Sequence, residues 1–374
     1  MNKIKVGIIG GGINSVIGHC LISAVLMDGR AELVSGYFSK NKNINTKTQK
    51  KFNIPVKIFD NIESYLIEQK KIKTDIIIIA TPSNSHADHI TKCLKYDLNI
   101  VCEKPIVTKL EDFLKIKKIL SKKKLFFSVV HNYIGYPMIK ELKEIIRKKK
   151  IGKVNQITCE MPQESFLTNL PAAGESKKVQ SWRLKENIIP NLYLDLGIHV
   201  DYLINFIIQK KPISVIANSS NYSKYKSIID NLWYWIKYKN NVTADIWLSK
   251  TAIGSSNSLS IKVFGNKGSL EWYHSSPEKI VWSNIIGEKK ILERRSKLIT
   301  ASKKSLNRFK AGHPGGFTEA YANFYNEIFD EFNYFKKNKK KSNKFNYNFL
   351  NTFDSLLLGK NISKSIKKKK WIKF

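Results

Sequence analysis

The chain has 374 residues, of which 42% are hydrophobic; 65 are Lys or Arg and 30 are Asp or Glu, a net charge of +35. This length predicts two domains, and so much apolar sequence excludes an intrinsically disordered protein. The charge is compatible with binding to nucleic acid or an anionic membrane. The lysines, however, are spread along the whole chain among many Asn and Ile residues. Codon bias in an AT-rich genome produces the same pattern, and we favour that explanation over specific nucleic-acid or membrane binding.

The start of the chain and its cysteines indicate the compartment. MNKIKVGIIGGG is typical of a strand and a turn rather than a signal peptide, and no apolar run approaches the roughly 20 residues that cross a bilayer. Cys20, Cys93, Cys102 and Cys159 have no CxxC spacing and lie in largely apolar stretches. We therefore expect a cytoplasmic protein with reduced, buried thiols and no metal site.

Short apolar runs alternate with helix-like stretches over the first 130 residues. The run DIIIIA (75–80) is almost wholly β-branched, which is typical of a strand covered on both faces in a parallel sheet. Helices are predicted between such strands, for example over 86–96 and 110–122. The alternation predicts an α/β protein whose residues 1–131 form a doubly wound Rossmann domain. The predicted strands cover residues 5–9, 32–36, 75–80, 99–102 and 125–130.

After residue 131 the pattern changes. A helix over 137–149 is followed by the alternating sequence IGKVNQITCEM (151–161), a loop, and a helix near 194–208. Alternating or β-rich segments between 213 and 282, with turns at 239–241 and 266–268, predict a large, mostly antiparallel open sheet. Helices over 318–335 and 349–365 complete a C-terminal α+β domain, to which we assign residues 132–374.

Glycines follow the first predicted strand directly. If the sequence is aligned with G-x-G-x-x-G, the matches are Gly10, Gly12 and Ser15, so a small serine replaces the third glycine, and Gly18 lies three residues further on. Between a strand and a helix, such a turn lets backbone N–H groups bind a pyrophosphate. The motif predicts a dinucleotide site, with four candidate residues in the turn: Gly10, Gly12, Ile13 and Asn14.

The end of the second strand usually distinguishes NAD from NADP. An acidic residue there binds the ribose 2′-hydroxyl of NAD, but this chain has Tyr37-Phe38-Ser39-Lys40. Ser39 and Lys40 suit a 2′-phosphate, which slightly favours NADP. Lys40 is equally compatible with an ordinary exposed lysine, so the sequence leaves NAD or NADP open.

Two further motifs follow predicted strands at their carboxyl ends, where an open α/β sheet binds ligands. ATPSNSH (80–86) ends the 75–80 strand, and EKP (103–105) follows the 99–102 strand. Downstream, DLGIH (195–199) places Asp195 and His199 four residues apart on one face of a predicted helix. A carboxylate there orients an imidazole and stabilises its protonated form, and Lys104 can hydrogen-bond a substrate hydroxyl.

These motifs resemble those of the glucose-fructose oxidoreductase/inositol dehydrogenase (Gfo/Idh/MocA) family over nearly the whole chain. GGGINSVIG (10–18), HNYIGYPM (131–138), Trp182-Arg183 and GHPGGFTEAYANFY (312–325) resemble one subgroup of it. The resemblance implies an NAD(P)-dependent dehydrogenase that transfers a hydride between nicotinamide and a secondary alcohol or ketone of a sugar or cyclitol. It also implies that residues 132–374 bind substrate and form a homodimer or homotetramer through the large sheet.

The resemblance also implies roles for individual residues. His199 acts as general base, Lys104 hydrogen-bonds the reacting oxygen, and Asp195 orients His199 or binds a neighbouring hydroxyl. Glu103 is included among the cofactor contacts, and for its carboxyl group we favour a structural ion pair or helix cap over a role as proton carrier. The further cofactor candidates are Thr81, Pro82, Asn84, His86, Glu103 and Lys104. The candidate substrate contacts are Lys104, Tyr133, Trp182, Arg183, Asp195, His199 and His313.

Two alternatives remain open at this point. One is a dehydrogenase or reductase of a nucleotide-activated sugar in surface-glycan synthesis, because a positive field attracts an anionic substrate. The other is a non-catalytic cofactor-binding protein whose charge is its functional feature. Trp233, Trp235 and Trp247 alternate with other residues in predicted strands, and we interpret them as core or interface side chains.

Overall fold

The computed structural model describes residues 2–167, 179–310, 312–340, 342 and 348–374. The chain divides into two compact units. The first unit comprises Met1–Gly135 and Phe317–Phe353, and the second comprises Tyr136–Gly316 and Asp354–Phe374.

A six-stranded parallel sheet forms the centre of the first unit, with the order β3-β2-β1-β4-β5-β6. Its strands are β1 (Ile4–Gly10), β2 (Ala31–Tyr37), β3 (Lys57–Ile58), β4 (Ile76–Ala80), β5 (Ile100–Cys102) and β6 (Phe127–Val129). Every residue of β4 is buried, as expected for a central strand with helices on both faces. The strand order reverses between β1 and β4, which is the point where doubly wound sheets bind nucleotides. The predicted Rossmann fold is confirmed.

Helices connect these strands. They are α1 (Gly18–Leu26), α2 (Lys42–Lys51), α3 (Ile62–Ile72), α4 (His86–Lys95) and α5 (Leu110–Leu120). Local chemistry sets several of their ends: the Asn41 side chain accepts hydrogen bonds from the first backbone N–H groups of α2, and Asn61 does the same for α3.

A helix from late in the chain, α8 (Phe317–Asn338), also belongs to the first unit. The predicted boundary at residue 131 placed this segment in the C-terminal domain. Its apolar positions recur at helical spacing, and Phe332 packs edge-on against Phe126 beside β6. The Asn323 side chain donates a hydrogen bond of 2.9 Å to the carbonyl of Gly135. These contacts bury one face of α8 within the N-terminal unit.

The second unit is built on a nine-stranded sheet with the order β14-β13-β12-β11-β7-β10-β9-β8-β15. All neighbours are antiparallel except β7 and β10, which run parallel. The predicted large, mostly antiparallel sheet is therefore confirmed. The strands are β7 (Val154–Pro162), β8 (Pro212–Ser220), β9 (Asn231–Tyr238), β10 (Val242–Ser249), β11 (Ser260–Gly265), β12 (Gly268–Tyr273), β13 (Lys279–Asn284), β14 (Lys289–Glu293) and β15 (Ile372–Lys373).

Helices cover one face of this sheet, and side chains alternate across it. The helical elements are α6 (Pro137–Arg147), a π-helical turn (Tyr193–Gly197), α7 (Ile198–Ile208) and most of α9 (Thr352–Lys368). Along β9 every second residue is buried, whereas Trp233 and Trp235 are exposed. The turn between β9 and β10 occurs at the predicted place, where Asn240 and Asn241 both have positive φ, as a tight hairpin requires.

Among the helices that the structure describes, none is both long enough and apolar enough to span a bilayer. The four cysteines are free thiols; three are buried and Cys20 is half-buried.

Candidate active site

The glycine turn follows β1 at the point where the strand order reverses. Gly10 and Gly11 have φ values of +85° and +72°, in the left-handed region that favours glycine. A Cβ atom on Gly10 would lie 2.6 Å from the carbonyl oxygen of Ala80, at the end of β4. The chain therefore turns away from β1 in close contact with the neighbouring strand, in a conformation that only glycine permits.

The close approach between the turn and α1 occurs at Gly18, whereas the sequence motif assigned that position to Ser15. Ser15 lies in the loop before the helix, is half-buried, and donates its N–H to the carbonyl of Gly12. Helix α1 begins only at Gly18, where a Cβ atom would lie 2.5 Å from the carbonyl carbon of Gly11 and closer still to its oxygen. The loop is three residues longer than the motif assumes, so the third glycine is displaced rather than lost.

The remaining predicted residues of the turn lie nearby. Ile13 is half-buried and its N–H donates to the Thr48 hydroxyl at 3.1 Å, which ties the turn to α2, whereas the Asn14 side chain is exposed. A Cβ atom on Gly12 would lie 3.1 Å from the same hydroxyl. The packing thus leaves little room for a side chain at Gly12.

Positive charge gathers beyond the end of β2, where the sequence has no acid. Ser39 is half-buried and Lys40 is exposed. Burial lowers the pKa of His89 on α4, the Asp88 carboxylate opposes that effect, and the ammonium groups of Lys92 and Lys40 lower the pKa by smaller amounts. Lys92 pairs with Asp88 at 3.1 Å, so at this corner it is the exposed Lys40 that suits a negatively charged group.

His86 joins the two motifs that follow β4 and β5. It is buried, its Nδ1 lies 2.8 Å from the carbonyl oxygen of Pro105, and its Nε2 lies 2.8 Å from that of Thr81. Burial lowers its pKa to about 4, although both carbonyl contacts oppose that effect. His86 therefore links ATPSNSH to EKP as a structural bridge. Pro82 and Asn84, in the same loop, are exposed.

Glu103 is buried and contacts the late helix α8. Tyr321 hydrogen-bonds to its carboxyl group, and its Oε1 atom accepts no hydrogen bond. Burial raises the pKa of Glu103 to about 7, despite the opposing charge of the adjacent Lys104. This contact with Tyr321 was not predicted, because it depends on placing α8 in the first unit. Lys104 is half-buried at the carboxyl end of β5.

In the second unit, Asp195 lies between two cations. Its Oδ2 atom accepts a hydrogen bond from the Arg183 guanidinium and lies 2.9 Å from the Lys250 ammonium group. Asp195 and Lys250 are buried, and the Arg183 guanidinium stacks 4.4 Å over the Trp182 ring. The structure thus brings together three predicted residues, Trp182, Arg183 and Asp195. It adds Lys250, which the sequence did not single out among its many lysines.

DLGIH (195–199) crosses from the π-helical turn into α7, where the sequence predicted an ordinary helix. π-Helical turns occur often at functional sites. His199 is half-buried on the first turn of α7. A carboxylate beside two cations accepts hydrogen bonds readily and is a poor proton donor.

The last two predicted substrate contacts lie in different units. Tyr133, in the first unit, is buried with its ring edge-on to Phe317. His313, in the second unit, is exposed on a loop, and its carbonyl accepts a 2.6 Å hydrogen bond from Arg294. Within the described ranges, no group of three or more His, Cys, Asp or Glu side chains could hold a metal ion.

The geometry of the first unit fits a bound dinucleotide. The left-handed glycines, the tight packing at Gly18 and the position where the strand order reverses are the features that admit a pyrophosphate close to backbone. The group would lie along Gly10–Asn14, with its adenosine end toward Ser39 and Lys40.

Two family models match the chain. One, described as an oxidoreductase family with an NAD-binding Rossmann fold, matches residues 4–131. The other, the Gfo/Idh/MocA C-terminal domain, matches residues 139–271.

Individual proteins agree with these matches. The uncharacterized oxidoreductase YfiI of Bacillus subtilis is 24% identical over 86% of this chain and 84% of its own length. Glucose-6-phosphate 3-dehydrogenase from the same organism is 25% identical over 73% of this chain and 75% of its own length.

Among solved structures, an inositol dehydrogenase homologue from Azotobacter vinelandii, crystallised with NADH and myo-inositol, has a TM-score of 0.87. It is 20% identical and the match covers 100% of this chain and 98% of that one, so it shows a shared fold. The expectations of an enzyme and of a nicotinamide cofactor are confirmed at the level of the family. The chain belongs to the Gfo/Idh/MocA family of oxidoreductases, and its N-terminal unit is an NAD-binding Rossmann domain.

Proposed function

We propose that this oxidoreductase is a dehydrogenase that interconverts a secondary alcohol and a ketone on a sugar or cyclitol, with NAD or NADP as cofactor. The observation that carries the proposal is the buried Asp195 carboxylate, bound by two cations and four residues before His199. The A. vinelandii structure contains myo-inositol, which supports a polyhydroxylated ring as the substrate class.

The proposed roles follow from the chemistry of each side chain. The nicotinamide, when bound, accepts or returns the hydride of the carbinol carbon. His199 takes the hydroxyl proton as general base, a role worth about 10²–10⁴-fold in rate. The Lys104 ammonium group hydrogen-bonds the same oxygen and stabilises the negative charge that develops on it. Asp195, fixed by its cations, holds the imidazole or a neighbouring hydroxyl.

The first test asks which cofactor and which substrates the protein uses. Native mass spectrometry of the purified protein would show a retained NAD(H) or NADP(H). A panel of sugars and cyclitols is then assayed by the absorbance of reduced nicotinamide.

The second test concerns the catalytic residues. His199→Ala and Lys104→Ala should each lower kcat by about 100-fold or more, with Lys109→Ala and His19→Ala, both exposed positions, as matched controls. Near-wild-type turnover by both active-site variants on a good substrate would refute the assignment.

The alternative substrate class is an anionic sugar, such as a nucleotide-activated sugar. The net charge of +35 favours it, and so does the relative whose name specifies a sugar phosphate. The same panel separates the two classes when it includes sugar phosphates and nucleotide sugars. If neutral sugars turn over and the anionic ones do not, the alternative is excluded.

We further propose that the outer face of the nine-stranded sheet forms a homodimer or homotetramer interface. Trp233 and Trp247 stack on this face with ring centroids 5.9 Å apart, and the neighbouring Trp235 is 60% exposed. Large aromatic side chains exposed together on a flat sheet are typical of a protein–protein interface. The sequence left core and interface roles open for these tryptophans, and the proposal takes the second.

A further inference from the structure

Lys250 is a buried cation that the family resemblance does not explain. It directly follows β10, and Gln163 directly follows β7. Because these two strands pair in parallel with Ser249 beside Pro162, the two residues come together at one end of the sheet. The Lys250 ammonium group lies 2.5 Å from the Gln163 side-chain oxygen and 2.9 Å from Oδ2 of Asp195.

Hydrogen bonds of its backbone also hold Lys250 in place. Its N–H donates to the carbonyl of Asp230 at 2.8 Å, and its carbonyl accepts from the N–H of Phe166 at 2.9 Å. Only 7% of the Lys250 side chain is exposed. Removing an ammonium group from water is costly unless it is paired, so a lysine held this rigidly against one carboxylate oxygen points to a role that requires its charge.

The charge of Lys250 changes what Asp195 does to its neighbours. A carboxylate alone, four residues before an imidazole, stabilises the imidazolium and makes the histidine retain its proton to higher pH. Two cations on the same carboxylate oxygen reduce that effect. A weaker effect of the carboxylate favours the neutral imidazole, which is the state that proton abstraction requires.

We propose that Lys250 is a positioning residue that keeps the Asp195 carboxylate fixed and, through it, limits the proton affinity of His199. The inference deepens the proposed function, and only its kinetic consequence rests on that function. Lys250 is not itself assigned a contact with substrate or cofactor.

Other charged groups of the second unit on or against α7 have different contacts. Asp201, two residues after His199, accepts a hydrogen bond from the Ser355 hydroxyl. On α6, Lys140 and Lys143 lie over the Phe206 ring, Glu141 accepts backbone N–H groups of residues 299–301, and Glu144 pairs with Arg147. On β7 the charged residue is Glu160. Arg183 and Lys250, by contrast, both contact Oδ2 of Asp195.

The test measures the protonation of His199 directly. The imidazole signal is assigned by comparison with His199→Gln, and its midpoint is followed by NMR titration of the full-length protein without substrate. Lys250→Met, which keeps the length of the side chain but removes its charge, should raise the midpoint by about 0.5–1 pH unit. Arg183→Met should act in the same direction. Lys262→Met, at a half-buried lysine on β11, serves as the control and should leave the midpoint unchanged.

A second variant covers the case in which Lys250→Met does not fold. Gln163→Glu retains the lysine and nearly the same shape, but it gives the ammonium group a second carboxylate. The net charge beside Asp195 again falls by one, so the His199 midpoint should again rise. An unchanged or lowered midpoint in the folded variants would overturn the proposal, and a rise in both would support it.

Kinetics add a readout that a merely structural role would not give. On a substrate that the wild-type protein turns over, Lys250→Met should lose about 3- to 10-fold in kcat/KM near neutral pH and recover as the pH is raised. A loss that is equal at every pH would contradict the proposed role. If the wild-type protein turns over no sugar or cyclitol, the proposed function fails, while the NMR titration still decides the role of Lys250.

Discussion

Replacing Gly18 by Ala tests whether Gly18, rather than Ser15, is the position where α1 closely approaches the glycine turn. An alanine Cβ atom at this position would lie 2.5 Å from the carbonyl carbon of Gly11, whereas carbon atoms in contact are normally about 3.5–4.0 Å apart. The start of α1 or the Gly11 backbone must therefore move by about 1 Å. Both atoms that clash are held by backbone, so no flexible side chain can absorb the change.

The size of the expected effect follows from that displacement. Overpacking of this kind costs about 1–3 kcal/mol, and each 1.4 kcal/mol is tenfold in affinity. Because the turn must regain its native position to bind a pyrophosphate, we expect Gly18→Ala to weaken binding of NADH or NADPH by at least about fivefold. Isothermal titration calorimetry of the purified variant measures this affinity.

Two controls separate the turn from general stability. Ser15→Ala should bind the cofactor within about twofold of wild type, because Ser15 is not the position of close approach. Gly29→Ala has no atom within 4 Å of the added Cβ but a φ of +65°, so it should lower stability by about 1 kcal/mol and leave affinity unchanged. Wild-type affinity in Gly18→Ala, or a loss in Ser15→Ala alone, would refute the reasoning.

Three further outcomes are expected. As the pH rises from about 5 to 8, the free energy of unfolding of Glu103→Gln should increase by up to about 3 kcal/mol relative to that of the wild-type protein. Folding raises the pKa of the Glu103 carboxyl group from 4.5 to about 7, so its contribution to the stability of the wild-type protein is present in full only below pH 4.5 and is lost as the pH rises through 7. If urea unfolding shows the same pH dependence of stability for both proteins across this range, the prediction is wrong. Trp235→Glu should shift the oligomer to a smaller species by size-exclusion chromatography with light scattering, whereas Tyr222→Glu, also 60% exposed, should not. Lys40→Ala should weaken binding of NADPH several-fold and leave NADH unchanged; equal affinities before and after the substitution would exclude contact with a 2′-phosphate.

Much of the fold could be predicted because it follows from local pattern. The continuous apolar run of β4 and the alternation along β9 predict a doubly covered strand and a one-sided strand, and both occur. The position of α8 could not be predicted in the same way. Its apolar stripe indicates a buried helix, but nothing local shows that it packs in the first unit, some two hundred residues away along the chain.

The residues of the candidate site likewise fall into those that a local sequence pattern reveals and those that depend on tertiary packing. EKP and DLGIH could be found because their residue types and spacing are unusual. Lys250 could not, since it is one lysine among many and lies 55 residues from Asp195 (250 − 195). The parallel pairing of β7 with β10 brings Lys250 beside Gln163, and the packing of the π-helical turn against β10 brings Asp195 to it. Gly18 was visible in the sequence, but the length of the loop before α1 was not.

A double-mutant cycle tests most directly the proposal that Lys104 and His199 act on one substrate oxygen. The kcat/KM of Lys104→Met, His199→Gln and the double variant is compared with wild type on the best substrate of the panel. Residues that act on the same reacting atom are strongly non-additive. We expect the double variant to fall within about tenfold of the worse single variant. Losses that multiply to within about a factor of two would show that the two side chains act independently, and would contradict the account.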